Sequence, residues 1–250
     1  MISRNELMFF HFVKYKLDTI KLKTKLFAGS KRGTLFAAFL RAVSYIAIQG
    51  EIPMINSFNL FGREADTSFG WNLILVNDDY RIPRNYEVEL TELSNGEKVD
   101  SRIYPQLQQM FDDARTEGLE LFVREGYRTT QDQKNIMNER IQKYQDEGYS
   151  RWEAKERAEE YVAEPGTSEH ELGIAVDINA DTSKCSADAV YTWLANNAYK
   201  YGFIKRYPDD KTEITGVNNE PWHYRYVGVD SAIEMQEKGL CLEEYIESLR

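Results

Sequence analysis

Cysteine is scarce in this chain, with two in 250 residues. Cys185 and Cys241 lie far apart, without a Cys-x-x-Cys pair or a flanking histidine, which excludes a zinc knuckle and a disulfide framework. Histidine is almost as rare, with three in all, so few imidazoles are available to any site. Basic residues are outnumbered, 31 Lys and Arg against 41 Asp and Glu, and the shortage is uneven. Residues 1–50 carry nine basic side chains and only Glu6 and Asp18 as acids, which leaves 22 basic and 39 acidic residues in 51–250, a net of −17. So acidic a body argues against a nucleic-acid partner, because phosphate binding requires a basic face. Internal repeats and low-complexity segments are also missing.

The basic residues that are present cluster early. Lys14, Lys16, Lys21, Lys23, Lys25, Lys31 and Arg32 precede the apolar run "TLFAAFLRAVSYIAIQG". This is the order of an uncleaved membrane anchor with its basic side cytoplasmic. The expected anchor is 34–48, with the C-terminal domain outside the cell. Two features weigh against it. The run is about fifteen residues, short of the ~20 that span hydrocarbon, and Arg41 in its middle costs ~2.5–3.5 kcal/mol on the insertion scale. The alternatives are a helix lying on the membrane surface or an ordinary packed helix, the latter with a cytoplasmic location. Residues 51–70, with Pro53, Gly62 and Gly70, read as a tether, and 71–250 as one domain of catalytic size.

Within that domain, "WNLILVN" (71–77) is a short apolar run and "YEVELTEL" (86–93) alternates, so both are expected to be strands, the second closed by a turn at "SNGEK". Leu107, Met110, Phe111 and Ala114 fall at helical spacing between Pro105 and Gly118. "LELFVREGYR" (119–128) follows as a strand. Next comes a polar helix from about Thr129 to Glu147, then a second helix opened by a Ser150–Glu153 capping box and running to about Ala163. "GIAVDIN" is a strand, Val190, Trp193, Leu194 and Asn197 mark a helix ended by Gly202, and "PWHYRYVG" (221–228) is the last strand, with Ser231–Glu234 capping a C-terminal helix. Strands and helices in this order predict an α+β fold: a small antiparallel sheet flanked by helices, with any site on the sheet face.

The chemistry concentrates in "PGTSEHELGIAVDIN" (165–179) and "NNEPWHY" (218–224). Period-two alternation puts Ile174, Val176 and Ile178 on one face of a strand and Asp177 on the other. Gly173 allows the chain to turn so that His170 folds over the face of Asp177. His223 supplies a third donor, and a catalytic zinc typically takes three protein ligands and leaves one position for water. Glu220, three residues before His223, is then a carboxylate free to take the proton of a water acidified by the metal. A lone histidine in a polar loop is usually only solvated, and one beside Trp222 and Tyr224 is readily a core residue. The joint pattern on two segments points to a His₂Asp site.

These stretches resemble a known family. "SEHELGIAVDI" resembles the S-x-H-x(6)-D signature of VanY-type zinc D-Ala-D-Ala carboxypeptidases, within the group that includes VanX dipeptidases and murein endopeptidases. "EPWH" resembles its glutamate–histidine signature, "GYRTTQDQ" (126–133) its G-Y-R-[ST]-x(3)-Q motif, and "WNLILVN" the start of its domain. The likeness covers roughly 70–250. It implies one zinc ion on His170, Asp177 and His223, with Glu220 as general base. Arg128 is implied beside the scissile carbonyl or terminal carboxylate, with Gln133 and Ser168 as further donors to substrate. The implied reaction removes the C-terminal D-alanine of a peptidoglycan pentapeptide stem or precursor by zinc-activated water. An L,D-carboxypeptidase, a D,D-dipeptidase and a catalytically silent zinc-containing cell-wall binding module are the alternatives. The 34 residues between Gln133 and Ser168 are where the choice among substrates is expected to lie.

Overall fold

The structure, a computed structural model, describes residues 63–250. The basic segment, the expected anchor at 34–48 and the tether up to residue 62 lie outside the described residues. Among those described, no helix is long and apolar enough to cross a membrane.

In chain order, β1 (Arg63–Glu64) pairs in parallel with β2 (Tyr80–Arg81), and β3 (Leu90–Glu92) forms a hairpin with β4 (Lys98–Asp100). Helix α1 (Tyr104–Thr116) carries proline in its first turn and buries Leu107, Met110 and Ala114. Strand β5 (Leu121–Glu125) leads to α2 (Thr130–Asp146) and α3 (Arg151–Glu159), each opened by a capping box. A one-turn 3₁₀ helix (Glu169–Leu172) precedes β6 (Ala175–Ala180). There follow α4 (Ala187–Asn197), β7 (Phe203–Lys205), the single turn α5 (Thr212–Thr215), β8 (His223–Tyr226), α6 (Val229–Lys238) and α7 (Leu242–Ser248). The central sheet has the order β5-β6-β8-β7, and every neighbouring pair is antiparallel. The α+β expectation holds.

The sheet separates two apolar clusters. Ile174, Val176 and Ile178 join Val123, Tyr224, Phe203 and the buried side of α1 and α4 in the larger one. Ile204 and Val227 join Leu73, Leu75, Met235, Leu242, Tyr245 and Ile246 in the second. Since each fully buried aliphatic side chain contributes ~1.5–3 kcal/mol, these clusters hold the sheet as a rigid frame.

Several sequence expectations are corrected. Residues 71–77 form no strand: Trp71–Leu73 is a 3₁₀ turn, followed by extended chain. The run is apolar throughout because it threads between the clusters, Ile74 and Val76 entering one and Leu73 and Leu75 the other. Its carbonyls at Asn72 and Ile74 accept from the Arg225 guanidinium rather than from a neighbouring strand. Helix α3 stops at Glu159, short of Ala163, whose carbonyl accepts from the Gln133 side chain. Ser231 lies inside α6, which begins directly after Gly228, and α7 is an additional helix that the pattern did not reveal. Part of the expected tether belongs to the folded body: the amides of Arg63 and Ala65 donate to the carbonyls of Asp79 and Arg81, and Ala65 is buried.

Candidate metal centre

Antiparallel register sets Asp177 of β6 directly opposite His223 of β8. Directly opposed residues share a face, and His223 Nδ1 lies 3.0 Å from Asp177 Oδ1. His170 arrives from the 3₁₀ turn. Gly173 ends that turn with a φ of 74°, where a side chain would crowd Val88 and the amide of Asp100, so glycine is required for the entry into β6. His170 Nε2 stands 3.5 Å from Asp177 Oδ1, and the two imidazole rings are edge to face at 4.9 Å. One ligand atom from each of the three residues lies within 4.8 Å of the others.

The donor set fits a metal ion. His170 Nδ1 donates to the carbonyl of Gly126 at 2.8 Å, which assigns the proton to that nitrogen and leaves the Nε2 lone pair for a metal. Gly126 therefore matters through its backbone. It sits so close to β4 that an added Cβ would lie 2.2 Å from the carbonyl oxygen of Lys98. A register shift between Val123 and Glu125 bends β5 just before it, as bulges beside functional sites often do.

Charge is packed densely here. Burial opposes ionisation of Asp177, but hydrogen bonds from His170 and His223 outweigh it and hold the carboxyl well below its ordinary range. Burial also disfavours the charged form of His223, yet Asp177 and Glu169 raise it to about 9. His170 is pushed below its ordinary value, chiefly by burial. Glu220 Oε2 is 3.8 Å from His223 Nδ1, and burial raises its carboxyl. Its amide donates to the carbonyl of Tyr207, whose ring lies 5.0 Å from that of His223.

The remaining residues singled out in the sequence fall around this cluster. The Arg128 amide donates to the carbonyl of His170, and its guanidinium is held by Glu125 at 2.8 Å and by Gln133 Oε1 at 3.2 Å. Gln133 is buried with both ends of its amide engaged, Oε1 by Arg128 and Nε2 by the carbonyl of Ala163 at 2.8 Å. Ser168 is buried at the head of the 3₁₀ turn, where its amide faces Glu171 Oε2 at 3.4 Å.

Three charged residues had no role in the sequence reading. Glu169 is buried between Arg206 and Arg225, at 2.8 and 2.9 Å. Burial alone would raise its carboxyl, but the two guanidiniums hold it well below the ordinary range. Arg206 also forms a two-armed pair with Glu243 of α7. The signal available was alternation, which places Arg225 two residues beyond His223 on the same face of β8.

Two imidazoles and a carboxylate, converging beside a further carboxylate and within the field of a guanidinium, form a donor set that fits a hydrolytic metal centre of the single-ion kind. The family profile described as "VanY: D-alanyl-D-alanine carboxypeptidase" matches residues 96–229, and the chain belongs to that family. A D-alanyl-D-alanine carboxypeptidase of Enterococcus faecalis (strain ATCC 700802 / V583) is 56% identical over 184 residues, 74% of this chain and 69% of the relative. Among solved structures, VanYB in complex with D-alanine-D-alanine superposes with a TM-score of 0.69 at 56% identity, covering 72% of this chain and 99% of that one. A mutant of the vancomycin-resistance D,D-pentapeptidase VanY from a VanB-type cassette, in complex with Zn(II), gives 0.67 at 57% identity over 70% of this chain and 99% of the other.

Proposed function

We propose that this chain is a zinc-dependent D-alanyl-D-alanine carboxypeptidase that removes the terminal D-alanine from peptidoglycan pentapeptide stems or their precursors. The observation that carries the reading is the convergence of His170, Asp177 and His223 with Glu220 alongside. The relatives named above supply the substrate class. His170, Asp177 and His223 would hold the zinc ion, which would supply a Lewis acid and an acidified water. Glu220 Oε2 takes the proton of the attacking water and returns it to the departing D-alanine amine. The Arg128 guanidinium, fixed by Glu125 and Gln133, faces the developing oxyanion or the terminal carboxylate. With Gln133 committed to Arg128 and Ala163, its part in binding is to aim that guanidinium, while Ser168 remains a donor at the same end. No step needs an acyl-enzyme.

The test is amine release by the full-length zinc-loaded chain from a pentapeptide stem ending in D-Ala-D-Ala, a tetrapeptide stem and the free dipeptide, beside Glu220→Gln. Release from the pentapeptide alone, with the variant binding zinc but turning over ~10²–10⁴-fold more slowly, is the expected result. Tetrapeptide cleavage moves the assignment to an L,D-carboxypeptidase, and silence on all three makes the domain a zinc-containing binding module.

Residues 34–48 are proposed as a membrane anchor with the catalytic domain extracytoplasmic. The order of seven basic residues followed by an apolar run supports this; without an anchor the enzyme would act in the cytoplasm on the dipeptide or the soluble precursor. Detergent, and not high salt, should release the full chain from membranes; release by salt alone would favour a surface-bound helix.

A further inference from the structure

We propose that Glu169 is a positioning residue of the metal centre: its carboxylate, immobilised by Arg206 and Arg225, faces Nε2 of His223 and fixes that imidazole with Nδ1 toward Asp177. The inference rests on the metal reading of the cluster given above.

The division of labour between the two carboxylate oxygens carries the argument. Oε1 accepts from both guanidiniums, Arg206 Nε at 2.8 Å and Arg225 Nη1 at 2.9 Å. Oε2 is buried and has no hydrogen-bond partner among the described residues, and the same is true of His223 Nε2. These two atoms lie 3.5 Å apart, slightly beyond hydrogen-bonding distance. Neither arginine directs a donor at Oε2. Arg206 spends its two terminal nitrogens on Glu243, and Arg225 spends its others on the carbonyls of Asn72, Ile74 and Tyr226. A carboxylate serving only to neutralise two arginines would have no reason to keep one oxygen free and aimed at a ligand histidine.

A buried unpaired donor and a buried unpaired acceptor each cost ~1–3 kcal/mol, so a small rotation of the imidazole that joins them is favoured. The result puts the His223 proton on Nε2, leaves the Nδ1 lone pair for the metal and raises the basicity of that nitrogen. A carboxylate behind a ligand histidine acts in this way generally, and its loss costs 10–100-fold in metal affinity or activity. The two ligand histidines are thus oriented by unlike partners: a neutral backbone carbonyl behind His170 and an ionised carboxylate behind His223. Glu169 also ties its own neighbour His170 to β8 through Arg225, so one side chain sets the spacing between both imidazoles.

The experiment compares the full-length wild type with Glu169→Asp, Glu169→Gln and Glu243→Gln. Zinc dissociation constants come from chelator competition and coordination from the visible spectrum of the cobalt-substituted protein, below the melting temperature of each variant. Glu169→Asp keeps the buried charge but withdraws it by one methylene. It should weaken zinc 10–100-fold, alter the cobalt spectrum and lower kcat with little change in KM. Glu243→Gln disturbs the same arginine without touching His223 and should stay within about threefold of wild-type zinc affinity. Equal zinc affinity and an unchanged cobalt spectrum in both Glu169 variants overturn the proposal, as does a loss in Glu243→Gln matching that in Glu169→Asp. If neither Glu169 variant folds, the zinc-loaded wild type decides. A slowly exchanging, downfield Nε2 proton on His223 in nitrogen-resolved NMR supports the proposal, and its absence overturns it. Failure of the wild type to bind zinc at all would instead remove the metal reading itself.

Discussion

Single side chains here are set by what surrounds them within a few ångströms. Gly126 is the clearest case. Its carbonyl orients His170 and its Cα lies against the Lys98 carbonyl, so Gly126→Ala forces the GYR segment away from β4. Overpacking of this kind costs ~1–3 kcal/mol. The expected outcome is a lower melting temperature together with weaker zinc binding; an alanine variant with wild-type zinc affinity would show that the His170 contact is not needed. Cys241 offers a contrast remote from the chemistry. Both cysteines are free, and burial pushes the Cys241 thiol up to about 11. At pH 8 only ~0.1% of it is thiolate, and that fraction grows about tenfold per pH unit until pH nears the pKa. Alkylation mapped by mass spectrometry should therefore be slow at pH 8 and about a hundredfold faster at pH 10. A rate that is flat across this range would mean the thiol is not held neutral by burial.

Among the elements, those with strong local signals matched their sequence patterns closely. Helices α1 and α2 begin and end within a residue or two of their expected limits, because proline, capping box and terminal glycine act locally. Thr129 shows why: its side chain accepts from the Asp132 amide while Asp132 reaches back to the Thr129 amide. Thr129→Ala should cost ~0.5–2 kcal/mol, read as a fall in thermal midpoint. Because this cap directly follows Arg128, a rise in KM should accompany it; a variant with unaltered stability would show that the cap is dispensable. The metal cluster was legible for the same reason, since its signals were short-range: a turn glycine, an alternating strand, a Glu–His pair. Residues 71–77 and Glu169 were not. An apolar run between two clusters has no partner visible in its own sequence, and Glu169 meets Arg206 and Arg225 from positions 37 and 56 residues away. From sequence alone a glutamate beside a histidine reads as a solvated neighbour.

At the scale of the whole molecule, the catalytic sheet depends on elements that carry no chemistry. Helix α7 packs Leu242, Tyr245 and Ile246 into the second cluster and places Glu243 on Arg206. Ending the chain after Gly239 removes all four. Three buried side chains at ~1.5–3 kcal/mol each, and a buried arginine deprived of one partner at ~3–5 kcal/mol, rival the 5–15 kcal/mol by which whole domains are stable. The truncated protein should fail to give a cooperative unfolding transition; a folded, zinc-binding product would show that the second cluster tolerates the loss. The ionic chain from Glu243 through Arg206 to Glu169 also imposes an order in time. On a growing polypeptide Arg206 lacks its second carboxylate until Glu243 has been added and α7 has docked. Synthesis runs from the N-terminus and a domain folds as a unit, so His223 is the last of the three candidate ligands to emerge. The three candidate ligands therefore stand together only once β8 has paired with β6, which makes long-range strand pairing, and not any local turn, the step that assembles the cluster.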